Sequence, residues 1–156
     1  MNWCLTSRPA NGRTGASDTL RKKVNMKTTT TWIKGHEFEV EHEGNKIQID
    51  GSAENGHGPK ALLLSALAGC SGIDVVDILT KMKIDFSDFT MEVEADQTDE
   101  HPKVFKEIHI TYKMRTAREH EDKIRKAVDL SLDKYCGVAA MLKKNSAIDY
   151  SIVIME

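Results

Sequence analysis

The sequence predicts an α+β fold in a single domain, and three observations carry that expectation. Segments with two-residue alternation and segments with helical periodicity follow one another without regular β-α alternation, which argues against a doubly wound parallel sheet. One long stretch, from Pro59 to about Met82, is apolar nearly all round, as expected of a helix inside the protein or at a large interface. The length of 156 residues suits one domain with a real core.

The elements follow in order. "KTTTTWIKG" is rich in β-branched residues and reads as a strand. In "HEFEVEHEGNKIQIDG" the apolar positions alternate at Phe38 and Val40, then at Ile47 and Ile49, and "EGN" between them is a tight turn, so a hairpin is expected. "SAENGHG" is a polar loop. Pro59 then opens the long helix, since proline suits the first helical position. Gly69 and Gly72 each cost about 1 kcal/mol relative to alanine there. The small residues around them therefore imply close approach of another backbone, or room beside Cys70.

"DFTMEVEAD" and "VFKEIHITYKMR" alternate as an antiparallel pair with one wet face. "REHEDKIRKAVDLSLDKY" reads as an amphipathic helix with Ile124, Ala127, Val128, Ser131 and Tyr135 on one stripe. Cys136 and Gly137 break it, "VAAMLKKN" makes a short further helix, and "AIDYSIVIM" closes the chain as a strand. The expected order is βββ-α-ββ-αα-β: antiparallel sheets with a long buried central helix. Few other elements are available to cover that helix, so a second copy is expected to do so in an interlocked homodimer.

Residues 1–25 differ from the rest. They carry Arg8, Arg13, Arg21, Lys22 and Lys23 against Asp18, with few apolar residues and no period. They are expected to be a poorly ordered or non-native extension, with residues 26–156 forming the domain. The formal charge of −2 provides no overall field for nucleic acid or anionic lipid. The longest uncharged run, Ala61–Ile73, has 13 residues, short of the ~20 that span a bilayer. The expectation is a cytoplasmic protein with reduced thiols, binding neither membrane nor nucleic acid.

Cys4, Cys70 and Cys136 make neither a disulfide scaffold nor a zinc-type cluster, and no metal or cofactor is expected. Cys70 lies about three turns into the central helix, between Gly69 and Ser71. Cys136 lies at a junction between helices, where amide N–H groups at a helix start favour a thiolate. Asp74, one turn beyond Cys70, opposes a thiolate there, so activation calls for a cation from elsewhere in the fold. From residue types alone two readings stand open: buried cysteines that merely pack, and a redox pair.

"GPKALLLSALAGCSGIDVVDIL" followed by "DLSLDKYCGVAAML" resembles the OsmC/Ohr family, the osmotically induced and organic hydroperoxide resistance proteins. The resemblance covers most of residues 28–156 and places the chain on a diverged OsmC-like branch. It implies an OsmC-like α+β fold, an intertwined homodimer with its site at the subunit interface, and reduction of organic hydroperoxides. Carried over, Cys70 is the peroxidatic thiolate and Cys136 the resolving cysteine, with an external thiol as reductant and no bound cofactor. The alternative is a non-catalytic dimer whose cavity holds a small apolar molecule, with structural or redox-sensing cysteines.

The chain departs from the family pattern in one respect. Peroxidases of the family set an arginine from the first strands against the reactive cysteine, held by a glutamate just after the motif proline. Here Lys60 and Ala61 follow Pro59, and "TTTTWIKGHEFEV" has no arginine; Lys34 or His36 is the cation within that part of the chain. "NGRTG" lies upstream of the first strand. Lysine lacks the rigid fork of arginine. Among the remaining candidates, His57 reads as a loop residue, Asp77 is expected to pair with Lys81, and Asp74 to meet a dimer or backbone partner. His101 and His109 have no partner in sequence and read as surface or strand residues.

Overall fold

The computed structural model describes residues 26–155. The expectation for residues 1–25, and Cys4 with it, lies outside these. The observed order matches the expected one: β1 (Thr29–Lys34), β2 (Glu37–His42), β3 (Asn45–Asp50), α1 (Pro59–Lys81), β4 (Ser87–Gln97), β5 (Phe105–Arg115), α2 (Glu121–Leu130), α3 (Gly137–Leu142) and β6 (Ala147–Met155).

The strands form two separate three-stranded sheets. In the first, β1 and β3 flank β2, both antiparallel to it. The β2–β3 turn places Glu43 and Gly44 at φ of 50° and 82°. That is the pair of positive values a two-residue type I′ hairpin needs. Beyond β3 the Asp50 carboxylate accepts backbone N–H groups of Ser52, Glu54 and Asn55 at 2.8, 3.0 and 3.0 Å. These bonds, that from Asn55 foremost, hold its pKa below the ordinary carboxylate value. They also shape the loop that delivers Pro59 to the start of α1.

In the second sheet β5 lies between β4, which is antiparallel to it, and β6, which is parallel. The parallel partner was not part of the sequence expectation; the helical crossover from β5 through α2 and α3 brings the chain back in the same direction. Ile108, Ile110, Tyr112 and Met114 point from β5 into the core, where they meet Leu67, Val75 and Leu79 of α1 and Ile124 and Val128 of α2. Gly72 faces β4, and a Cβ there would run into the Met91 side chain. Gly69 faces open space. What approaches the small-residue stretch is thus the Met91 side chain at one glycine of the two, and not the second backbone that the sequence suggested.

The central helix is only half covered within one chain. Leu67, Ser71, Gly72, Val75 and Leu79 are buried, while Leu63 and Ile73 are 48% and 66% exposed. The first sheet makes its extensive contacts within itself, and Trp32, Ile33 and Ile47 are exposed on it. By length and composition α1 also meets the requirement for a membrane span, with a mean hydropathy of 1.8 over its most apolar window. However, it carries Asp74 and Asp77 in mid-helix and packs on β4, α2 and α3.

The expected helix over residues 118–135 is not uniform. A 3₁₀ turn (Arg118–His120) leads into α2, and a π-turn (Ser131–Tyr135) follows it. The wider turn changes the phase of the apolar stripe. Ile124, Ala127, Val128 and Ser131 are buried as expected, whereas Tyr135 is turned out and 53% exposed.

Candidate active site

Three elements build the candidate site: α1, the π-turn after α2, and α3. Cys70 is half-buried in the middle of α1, packed against the core. Cys136 is 3% exposed and caps α3, its Sγ accepting the Ala139 N–H at 3.3 Å. The Cys136 N–H donates to the Ser131 carbonyl at 2.8 Å, closing the π-turn. Both cysteines are free thiols. The fold brings them into the same neighbourhood, near enough for Cys70 to be among the groups that raise the Cys136 pKa.

The electrostatics at Cys136 reverse the expectation drawn from its position at a helix start. Burial pushes the thiol up to about 11, and Cys70 adds to the rise; the N–H of Ala139 opposes it without prevailing. Desolvation of a charged sulfur outweighs the amide dipoles of Ala139 and Val138. Tyr112, fully buried behind the pair, is likewise pushed up to about 12, chiefly by burial.

These two shifts predict a loss of stability in alkali. A group whose pKa is higher in the folded chain favours folding below its unfolded value and loses that contribution as pH rises through the folded one. For Cys136 the window runs from 9.0 to about 11, and for Tyr112 from 10.0 to about 12. Urea unfolding of the reduced protein should therefore show the midpoint falling between pH 8.5 and about 10.5 by more than in Cys136→Ser. Equal falls in the two proteins would contradict the buried-thiol assignment.

Between the cysteine-bearing segments lies a buried polar network. The Tyr112 hydroxyl meets Ser71 Oγ at 2.5 Å. Ser71 Oγ meets Ser131 Oγ at 3.0 Å, and Ser131 Oγ meets Asp74 Oδ2 at 3.0 Å. Asp74 was expected at a dimer or backbone partner; within one chain it accepts from the hydroxyl of Ser131. Asp77 and Lys81 form no ion pair. Both line, with Asp74, Ile78, Met82, Leu130 and Tyr135, a cleft of about 510 Å³ that begins one turn beyond Cys70.

The expected cations do not reach Cys70 within one chain. Lys34 pairs with Glu37 at 3.4 Å, and His36 stands beside Asp50, all in and around the first sheet. His57 is exposed and its backbone bridges to Ile49. His109, read as a surface or strand residue, lies on β5 and bonds through Nδ1 to Asp149 at 2.5 Å and through Nε2 to Ser151 at 3.0 Å on the outer face of the second sheet. Among the described residues no group of three or more His, Cys, Asp or Glu is arranged to hold a metal ion.

Residues 50–151 match the OsmC-like protein family. The chain belongs to that family. Among its relatives, the OsmC-like chain is 35% identical over 133 residues to Protein YhfA of Escherichia coli strain K12, a match covering 83% of this chain and 98% of YhfA. Among solved structures it is similar to a hypothetical protein from Aquifex aeolicus VF5, with 29% identity, a TM-score of 0.72, and 84% and 98% of the two chains covered. It shares its fold with the organic hydroperoxide resistance protein OhrB of Bacillus subtilis, at 18% identity and a TM-score of 0.57 over 83% of this chain and 98% of that one. The OsmC-like fold thus accounts for the two sheets and the central helix.

Proposed function

We propose that this protein reduces organic hydroperoxides through Cys70 and Cys136, with an external thiol closing the cycle. The observation that carries the reading is the nearness of two free thiols 66 residues apart in sequence, close enough for one to shift the pKa of the other. The Cys70 thiolate attacks the distal peroxide oxygen. A sulfur–oxygen bond forms, the oxygen–oxygen bond breaks, and the organic part leaves as an alcohol after taking a proton. The sulfur, oxidised by two electrons, is then a sulfenic acid. Cys136 attacks that sulfur, the sulfur–oxygen bond breaks, and its hydroxyl leaves as water with the Cys136 proton. A reduced external dithiol exchanges with the resulting disulfide and restores both thiols.

Each cysteine suits its role. Cys70 is the more accessible of the two, as the first reactant must be. Cys136 is buried and held as a thiol near neutral pH, so it does not compete for peroxide and reacts only with the sulfur beside it. Ile78, Met82, Leu130 and Tyr135 in the adjoining cleft offer apolar surface to an organic substituent. Fold neighbours named for organic hydroperoxide resistance point the same way.

The working unit is a homodimer. An exposed apolar face on α1 and an outlying first sheet bearing Trp32 and Ile33 are unusual for a monomer. A second copy would cover both, and it is from that copy that Lys34 or His36 could approach Cys70. The test is turnover. With dithiothreitol in excess, the protein is expected to consume cumene hydroperoxide faster than hydrogen peroxide. Consumption no faster than that of dithiothreitol alone would overturn the reading and favour a dimer that binds a small apolar molecule without reacting.

A further inference from the structure

The network between the two cysteines consists of groups that a hydrophobic core does not ordinarily contain. Ser71, Tyr112 and Ser131 are each fully buried. Polar groups of this kind give little net stability compared with apolar groups of the same shape. Their placement is informative. Ser71 and Asp74 lie on α1 at one and four residues beyond Cys70, and Ser131 opens the π-turn whose closing N–H belongs to Cys136. The Ser131 hydroxyl meets both α1 residues, while its carbonyl holds the Cys136 backbone at 2.8 Å. One residue therefore ties the Cys70 helix to the Cys136 backbone.

The Ser131 hydroxyl has three acceptors on α1 within reach, Asp74 Oδ2, Ser71 Oγ and, at 3.4 Å, the Ser71 carbonyl. In the bond between Ser71 Oγ and the Tyr112 hydroxyl either oxygen can donate. Every hydroxyl of the network has a bonded partner, so the network holds the side chains as well as the backbone. A π-turn is in itself a poor anchor, because its wide ring can relax to an α-helical turn with a different phase. Such a relaxation would swing Cys136 away from Cys70.

Resting on the two-cysteine reading above, we propose that Ser131 and Ser71 are positioning residues for the second half-reaction. They lock the π-turn so that Cys136 stays in reach of Cys70 and condenses with its sulfenic acid before a second peroxide oxidises it further. They touch no substrate and leave the first oxidation of Cys70 unaffected.

The experiment compares the wild type with Ser131→Ala and Ser71→Ala, each checked for folding by circular dichroism, in two assays. In the first, reduced protein reacts with cumene hydroperoxide, and sulfenic acid, sulfinic acid and disulfide are quantified by mass spectrometry with dimedone present. Loss of the Cys70 thiol is expected to proceed within about twofold of wild type. Disulfide formation should slow by roughly tenfold or more, as expected when a preset geometry is released. Dimedone adduct and sulfinic acid should rise in its place. Unchanged partition in both variants would overturn the proposal. The second assay needs no peroxide: the Cys70–Cys136 disulfide is equilibrated in dithiothreitol redox buffers. A variant disulfide roughly tenfold less stable supports the positioning role, and equal stability in all three proteins overturns it. Should the wild type ignore peroxide, the hydroperoxide reading fails while this second assay still decides the positioning role. If one variant does not fold, the other tests the opposite end of the same contact.

Discussion

Serine in place of Cys70 is expected to abolish hydroperoxide-dependent oxidation of the protein, with the rate falling at least about a hundredfold. The substitution removes one polarisable sulfur from a position that is half-buried and faces the core, and a hydroxyl there packs in nearly the same volume. Folding should survive, so loss of activity can be read as loss of the nucleophile. Cys136→Ser separates the two steps. Its Cys70 should still be oxidised at close to the wild-type rate, since Cys136 takes no part in oxygen–oxygen cleavage. The product should differ: with no neighbouring thiol, the sulfenic acid should persist or advance to sulfinic acid. Turnover with dithiol would fall to whatever direct attack on the sulfenic acid allows. If Cys70→Ser and wild type consumed peroxide equally, the chemistry would lie elsewhere in the molecule.

Glutamate in place of Ile73 is expected to convert a dimer into monomers. Ile73 is 66% exposed in one chain, on the face of α1 that also presents Gly69 and Leu63. In a free monomer a glutamate there would sit in water and change stability by less than about 0.5 kcal/mol. Buried against a second copy, it would place an unpaired carboxylate in each half of an apolar interface, at a cost of several kcal/mol per dimer. Light scattering should give twice the 17.5 kDa chain mass for wild type and the single mass for Ile73→Glu. Peroxide turnover should fall with dimerisation if a second copy completes the site. A wild type that runs at the single-chain mass would contradict the dimer, and an Ile73→Glu dimer would place its interface elsewhere.

Much of the architecture was legible because period and punctuation agree along the chain. Pro59 marked the start of the central helix, the alternation of Ile108, Ile110, Tyr112 and Met114 gave the buried face of β5, and Cys136–Gly137 marked the break before α3. The sequence could not place β6 beside β5 in parallel, because strand pairing is decided by how the helices cross over. It also could not show the π-turn. Residues 131–135 continue the composition of a helix, and only the hydrogen bond from Cys136 to Ser131 reveals the extra residue in the ring. Tyr135 was assigned to the buried stripe for that reason.

The candidate site was half legible. Both cysteines drew attention by their settings, and the family resemblance gave them roles. Their nearness is tertiary and needed the fold. The favourable effect expected of a helix start at Cys136 was local reasoning, and burial reversed it, because the sulfur's loss of water exceeds what the amides of Val138 and Ala139 return. Ser131 was placed on the buried stripe, but neither it nor Ser71 was singled out as part of the site. Ser71 and Ser131 are common residues on apolar faces, and only their contact with each other and with Tyr112 sets them apart. Lys34 and His36 were singled out by their place in the chain, yet they belong to a sheet that stands away from the Cys70 helix of its own chain.

The measurement that tests the central claim most directly is thiol mapping after a brief exposure to peroxide. Reduced protein is mixed with a small excess of cumene hydroperoxide, quenched with an alkylating reagent, digested and mapped by mass spectrometry. The account predicts a Cys70–Cys136 disulfide that forms within the dead time of manual mixing, faster than with hydrogen peroxide, and not at all in Cys70→Ser. Two alkylated, unoxidised thiols in folded protein would contradict it.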